Sequence, residues 1–260
     1  MNRENWKNDQ AISAFRGFLK DSVRKAVDFS TTDQSRGIEA PPIEKPYPPD
    51  ARRVDLRHPG DWQIPVQDLE AAIGNRRSHR TFTPESLSLD ELAFLLWATQ
   101  GIRGPVKGGR NFRTVPSAGC RHAFETYIIA LNVEGLACGI YRYLPTTHQL
   151  LFEFSEEHLP AKISRATFDQ RFCGSSAAVF VWAALPYRME WRYGPASYKV
   201  IAIDAGHVCQ NLYLACEAIK AGTCAVAAYD QEAVDGLLKL DGEHEFTVYL
   251  APVGKVKQQP

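Results

Sequence analysis

Four absences bound this sequence before any motif is considered. No stretch approaches the run of roughly 18 apolar residues that a membrane-spanning helix needs, so no such helix is expected. The N-terminus, MNRENWKNDQAISAF, lacks the uninterrupted apolar core of a secretory signal. Together these predict a soluble, cytoplasmic protein without a membrane partner. Charge of either sign is not in excess, since 30 lysines and arginines face 30 aspartates and glutamates. A chain-wide attraction to nucleic acid is therefore not indicated, and any anion site must come from local clustering. The cysteines Cys120, Cys138, Cys173, Cys209, Cys216 and Cys224 include no Cys-x-x-Cys pair, which removes the zinc-ribbon and thioredoxin-type readings. Most lie in apolar stretches such as HVCQNLYLACEAI and read as reduced core thiols.

Two nucleotide signatures are missing as well. Without GxxxxGK[ST] there is no triphosphate loop, and without GxGxxG a Rossmann dinucleotide site loses its main support. What is present is an ordinary globular composition, 45% hydrophobic and 23% charged over 260 residues, enough for a sizeable core.

The sequence divides near residue 65. Residues 1–29 predict a helix anchored by Trp6, Phe15, Phe18 and Leu19, and residues 30–65 are proline-rich and read as an extended connector that wraps a surface or a partner subunit. The main domain, 66–260, opens with a short helix over 67–75 and a second over 88–100. The second begins with the Ser-x-x-Glu capping box of Ser88 and Glu91 and stops at Gly101. FETYIIALN and AAVFVWAAL predict strands, the latter central because it is almost wholly apolar. A long helix is expected over 199–220, a buried strand or loop at TCAVAAY, a short helix over 230–239 and a last strand over 246–254. Strands alternating with helices argue α+β or α/β.

Three segments carry candidate chemistry. In RRSHRTF, an extended chain would put Arg76, Ser78 and Arg80 on one face, two guanidinium forks and a hydroxyl suited to a phosphate. The same segment alone also reads as a solvated basic turn. Lys255 and Lys257 repeat the spacing after the last strand, where a solvated tail is the other reading. PSAG, at 116–119 within VKGGRNFRTVPSAG, reads either as a tight turn or as a platform whose small residues let a flat ligand approach the main chain. His122 reads as a surface loop histidine or as facing a ligand. His207 and Asp204 share a helix, as packing residues or as an isolated pair of metal ligands.

In this order, PPIEKPYPP, RRSHRTF, SLDELAFLLWATQG, TVPSAGCRHAFETY, GIYRY, RYGPASYKVIAIDAGHVCQNLYLACEAIKAGTCAVAAYD and FTVYLAPVGK resemble the nitroreductase-like FMN flavoproteins, specifically the SagB-type dehydrogenase branch. The resemblance runs from about residue 41 to 257. It implies an α+β sandwich with a mostly antiparallel central sheet flanked by helices, and a homodimer with FMN at the interface. It implies that Arg76, Ser78 and Arg80, with Arg77 close by, bind the FMN phosphate and ribityl chain, and that Lys255 and Lys257 return to the same phosphate. Pro116, Ser117, Ala118 and Gly119 would lie along the flavin, and backbone N–H groups around Ala227 and Ala228 would face its N5 edge. The implied activity is hydride exchange between flavin N5 and a small organic substrate, with NAD(P)H as the candidate electron donor. A catalytically idle flavin-binding or scaffold subunit of a biosynthetic complex is the alternative.

One departure stands out. Azoline-oxidising members of that branch resemble one another at a Lys-Tyr pair, which here corresponds to Arg192 and Tyr193. Arginine stays protonated and cannot act as a general base. It can anchor an anion or bias Tyr193, which otherwise reads as a packing aromatic.

Overall fold

The computed structural model describes residues 10–104 and 110–257. Eight α-helices and seven strands are found among them, besides short 3-10 turns: α1 (Gln10–Leu19), β1 (Arg53–Asp55), α2 (Leu69–Asn75), α3 (Leu89–Gln100), β2 (Phe124–Ala130), β3 (Gly139–Leu144), β4 (Gln149–Phe154), α4 (Leu159–Ala166), α5 (Arg171–Gly174), β5 (Ala178–Ala184), α6 (Tyr187–Tyr193), α7 (Ser197–Ala218), β6 (Ala221–Thr223), α8 (Gln231–Leu238) and β7 (Phe246–Lys255). The strands form one sheet in the order β1-β4-β3-β2-β5-β7-β6, with every pair antiparallel. The α+β class with an antiparallel sheet is therefore the observed fold.

The sheet is covered on both faces, and β5 explains how. Successive side chains of a strand alternate between faces. Phe180 and Trp182 join the cluster formed with Leu92, Leu96 and Leu212 of α3 and α7. Val179 and Val181 point the other way and join Leu159, Ile163, Val234 and Leu238 of α4 and α8. A strand between two helical layers has no polar face, which is why AVFVWAA is apolar throughout.

The expected capping box is present: the Ser88 hydroxyl accepts from the Glu91 N–H at 3.2 Å, and the Glu91 carboxylate accepts from the Ser88 N–H at 2.9 Å. Gly101 closes α3 as expected, and the glycine is needed there for close approach. Its φ is −61°, and a Cβ there would lie 2.3 Å from Cδ1 of Trp97. The glycine serves close approach to that indole.

The N-terminal expectation is corrected. Among the described residues the helix covers Gln10–Leu19 and ends ten residues short of 29; it buries no residue, and Phe15, Phe18 and Leu19 are exposed rather than anchored. Trp6 lies outside the described residues, as do Val106, Lys107, Gly108 and Gly109 of the glycine-containing segment.

The connector does wrap a surface, and its own chain supplies it. Prolines leave carbonyls that still need donors. Buried arginines provide them: Arg188 donates to the Pro42 carbonyl at 3.0 Å, Arg113 to Ile43 at 3.1 Å, and Arg142 to Lys45 at 2.8 Å. Glu125, also buried, balances Arg188 and Arg142 and accepts the Lys45 N–H at 2.8 Å. Further along, β1 adds an edge strand to β4, so the connector also extends the sheet.

Candidate functional site

Two groups of residues named from the sequence assemble on different parts of α7. The first surrounds Arg76–Arg80. This segment leaves α2 in extended conformation and lies parallel to β6, with Ser78 bridged to Thr223 and the His79 N–H donating to the Thr223 carbonyl at 2.9 Å. His79 turns inward against Gly222, where a Cβ would sit 2.8 Å from the imidazole. Arg76, Arg77, Ser78 and Arg80 are exposed. The end of β7 runs alongside. The Thr83 N–H donates to the Lys255 carbonyl at 2.8 Å, and Phe82 packs where a Cβ on Gly254 would lie. The two basic stretches, far apart in sequence, are thus neighbours.

Their charges are used unequally. The Lys255 ammonium is paired with Glu91, so the capping-box carboxylate has a second role. Lys257 is exposed. Among the described residues, Arg76 and Arg80 make no ion pair with any carboxylate.

Tyr213 of α7 ties this group to the next loop, and nothing in the sequence marks it for that part. Its hydroxyl accepts from the Ala225 N–H at 2.9 Å and lies 3.1 Å from the Ser78 hydroxyl. The Arg76 guanidinium stands 5.4 Å from the centroid of the same ring. Ala227 and Ala228 follow Ala225 and are exposed, and the Ala228 carbonyl is held by Gln170 at 2.8 Å.

The second group surrounds PSAG. Ser117 and the Ala118 N–H face the buried carboxylate of Asp204 on α7; burial raises that carboxyl above its usual range despite these bonds. Positions 204 and 213 are separated by about 14 Å along the helix axis at 1.5 Å per residue, so the two groups are held well apart in one chain.

The PSAG loop is strained. Gly119, Cys120 and His122 all have positive φ, at 60°, 54° and 48°. Left-handed conformations at non-glycine residues cost energy and tend to cluster at functional loops. Arg192 and Tyr193, at the end of α6, sit directly against Gly119. Beside the loop is a cleft of about 300 Å³ lined by residues that include Phe112, Thr114, Pro116, Ser117, Cys120 and His122.

His122 is buried, contrary to the surface reading, because its ring reaches the Asn111 carbonyl at 3.2 Å and its N–H donates to the Ser117 hydroxyl at 3.0 Å. Burial first, then the Arg113 charge, pushes it down to about 3 from 6.5. A base whose folded value is depressed stabilises the fold fully above the unfolded value and loses that contribution as pH falls through the folded value. Stability should therefore decline between pH 6.5 and about 3, and less steeply in His122→Asn, as read by denaturant midpoints.

His207 is exposed and its Nδ1 stands 3.9 Å from the Asp204 carboxylate, so it is not a packing histidine. Among the described residues no group of three metal-ligating side chains exists. All six cysteines are free, and burial lifts Cys173 to about 11 and Cys209 to about 12, as suits inert thiols.

Residues 73–255 match the model of the Nitroreductase family. The chain belongs to this family. A nitroreductase of Methanocaldococcus jannaschii is 31% identical over 202 residues, covering 78% of this chain and 96% of that one. A crystal structure from Ralstonia eutropha, described as a nitroreductase, superposes with a TM-score of 0.66 at 24% identity, over 85% of this chain and 99% of that one. A chain of the Escherichia coli microcin synthetase McbBCD complex, bound to truncated pro-MccB17, gives 0.60 at 17% identity, over 97% of this chain and 100% of that one. These two structural likenesses establish the shared fold, and the family model with the M. jannaschii relative establishes membership. No helix among the described residues is long and apolar enough to cross a membrane.

Proposed function

We propose that this nitroreductase-family chain is an FMN-dependent oxidoreductase of the SagB-type branch, acting on a small organic substrate with NAD(P)H as electron donor. The observation that supports it most is the donor set around Ser78. Two guanidinium groups without carboxylate partners among the described residues, Arg76 and Arg80, flank a hydroxyl. That set fits a phosphate monoester, which offers about two negative charges and three acceptor oxygens. Arg77 and Lys257 add charge nearby, and Lys255 is shared with Glu91. When bound, FMN supplies hydride exchange at N5, and the protein supplies orientation and electrostatics.

In this reading Tyr213 orients Ser78 and the loop leading to Ala227 and Ala228 together, so one side chain sets the spacing between the phosphate and N5 ends. Tyr213→Phe removes the hydroxyl on which both bonds converge. It should lower FMN retention severalfold, a loss of roughly 1 kcal/mol per neutral hydrogen bond, measured by fluorescence of flavin released after gel filtration.

A homodimer completes the site. Tyr198, Ala202, Ile203 and Gly206 form an exposed stripe on α7, and Val66 and Leu69 open an apolar groove of about 390 Å³ with Phe94, Trp97 and Leu214. Two-fold packing along α7 would bring the Arg76–Arg80 group of one protomer to the PSAG loop of the other, which are separated within one chain. Pro116, Ser117, Ala118 and Gly119 would then cover the flavin from the partner's side.

The purified protein should be yellow, release FMN on denaturation and bleach with NADH, NADPH or dithionite. A colourless protein that takes up no added FMN would sink the reading. A second reading, a catalytically idle flavin subunit of a biosynthetic assembly, draws on the end-to-end likeness to a chain of the microcin synthetase complex. It gains if flavin binds and is reduced but no acceptor is turned over.

A further inference from the structure

The flavin reading asks the N–H groups of Ala227 and Ala228 to face the N5 edge, and a surface loop by itself gives them no reason to stay aimed. Both residues are exposed, and among the described residues neither N–H donates to an acceptor. The carbonyls on either side of them are held. The Val226 carbonyl accepts from the Leu250 N–H at 3.4 Å, and the Val226 N–H donates to the Leu250 carbonyl at 2.8 Å. In a trans peptide the carbonyl and the following N–H point opposite ways, so the Ala227 N–H is turned away from β7. The Ala228 carbonyl has one donor among the described residues, and it is a side chain: Gln170 Nε2, at 2.8 Å.

The Gln170 amide is fixed on both protons. The same Nε2 donates to the Thr167 carbonyl at 2.9 Å, and a flipped amide would set oxygen against two carbonyl oxygens. Gln170 follows Phe168 and Asp169, both left-handed, with φ of 53° and 59°. Two successive non-glycine residues in that region cost energy, and such strain persists where the surrounding structure over-determines it. Here the Asp230 N–H donates to the Ala166 carbonyl at 2.8 Å, which joins the end of α4 to the end of the loop. Residues 166–170 thus grip the loop at 228 and 230, and β7 grips it at 226. Tyr213 holds it at Ala225. The unused N–H groups of Ala227 and Ala228 lie between these grips.

We propose that Gln170 is a positioning residue for the flavin: through the Ala228 carbonyl it fixes the backbone that presents the Ala227 and Ala228 N–H groups to the N5 edge. It acts through Ala228 rather than on the reacting atoms. The proposal rests on the flavin reading of residues 227 and 228 and adds the side chain that sets them. A packing role for Gln170 would need its bulk, whereas this role needs its two donors.

The test uses the purified protein loaded with FMN isotopically labelled at N5 for nitrogen NMR. A hydrogen bond accepted by N5 moves its resonance upfield of the position it has in an aprotic solvent, so the signal reports the bond itself. The unaltered protein should show N5 upfield. Gln170→Met keeps the length and loses both donors, and should send N5 back toward the aprotic position. Gln170→Glu sets a carboxylate against two carbonyls and should do so at least as far. Gln170→Asn keeps the donors on a shorter stem and should fall between. FMN content after gel filtration should hold in all three, since Arg76, Ser78 and Arg80 are untouched. A measurement without any variant checks the same backbone: adding FMN to the flavin-free protein should slow hydrogen exchange at the Ala227 and Ala228 amides roughly fivefold to tenfold, the value of one neutral hydrogen bond. The inference alone is overturned if FMN is held and Gln170→Met leaves N5 where it was, or if bound FMN leaves both amides exchanging as before. If the protein takes up no FMN, the flavin reading itself fails and the inference goes with it.

Discussion

Arg76→Ala and Arg80→Ala should each strip FMN from the protein while leaving the fold intact. Both side chains are exposed and neither is paired with a carboxylate among the described residues, so their removal uncovers no buried charge. The expected stability change is within about 0.5 kcal/mol for Arg80, and up to about 1 kcal/mol for Arg76, which also gives up its stacking on Tyr213. The expected binding change is much larger. A bidentate arginine–phosphate contact is charge-assisted and contributes about 1.5–3 kcal/mol, or roughly ten- to a hundredfold in affinity. The double variant should be colourless at micromolar protein. Flavin-to-protein ratio after gel filtration measures the first effect, and thermal melting of flavin-free samples measures the second. Full flavin occupancy in both single variants would mean that the phosphate lies elsewhere. Lys255→Ala makes a useful contrast, since it also deprives the buried Glu91 of its partner and should lower Tm as well as affinity.

What the sequence allowed for those arginines was conditional: residues two apart share a face once the chain is extended, and the segment is extended. The extended conformation comes from Thr223 of β6, about 145 positions away, yet the pattern survives without it. The capping box at Ser88 and Glu91 and the all-apolar β5 were legible on the same terms. What failed to show was set by distant partners. In β3, Arg142 is fully buried in the middle of GIYRYL because Glu125, Glu153 and two connector carbonyls receive it, so the strand carries no readable alternation. Helix α6 is obscured likewise by Arg188 on its buried side. Tyr213 looks like one more apolar residue of α7, and its value lies in what Ser78 and Ala225 bring to it. Gln170 has no sequence signature at all. Of the two readings of His122, the surface one fails because the Asn111 carbonyl and the Ser117 hydroxyl that satisfy it become neighbours only when the loop turns left-handed.

The same buried network sets up the largest expected loss of stability. Glu125 is the shared acceptor for Arg188, Arg142 and the Lys45 N–H, and three arginines in turn hold the carbonyls of Pro42, Ile43, Lys45 and Pro46. Glu125→Gln keeps the shape and removes the charge, leaving two buried guanidinium groups without full compensation. Removing one partner of a buried pair costs about 3–5 kcal/mol, a large fraction of a domain's usual 5–15 kcal/mol. Glu153 also pairs with Arg142 but its side chain is 28% exposed, so Glu153→Gln should cost about 1 kcal/mol or less. Chemical denaturation separates the two variants. A second readout locates the damage. Because Pro42, Ile43 and Lys45 are fastened through this network, Glu125→Gln should open the connector to proteolysis before the sheet unfolds. Gln34 belongs to the same connector, and Ile38, between it and Pro42, accepts from the Trp191 indole at 3.0 Å. Loosening the anchor at Glu125 should therefore spread to residues 34–38, although residue 125 makes no hydrogen bond with them among the described residues.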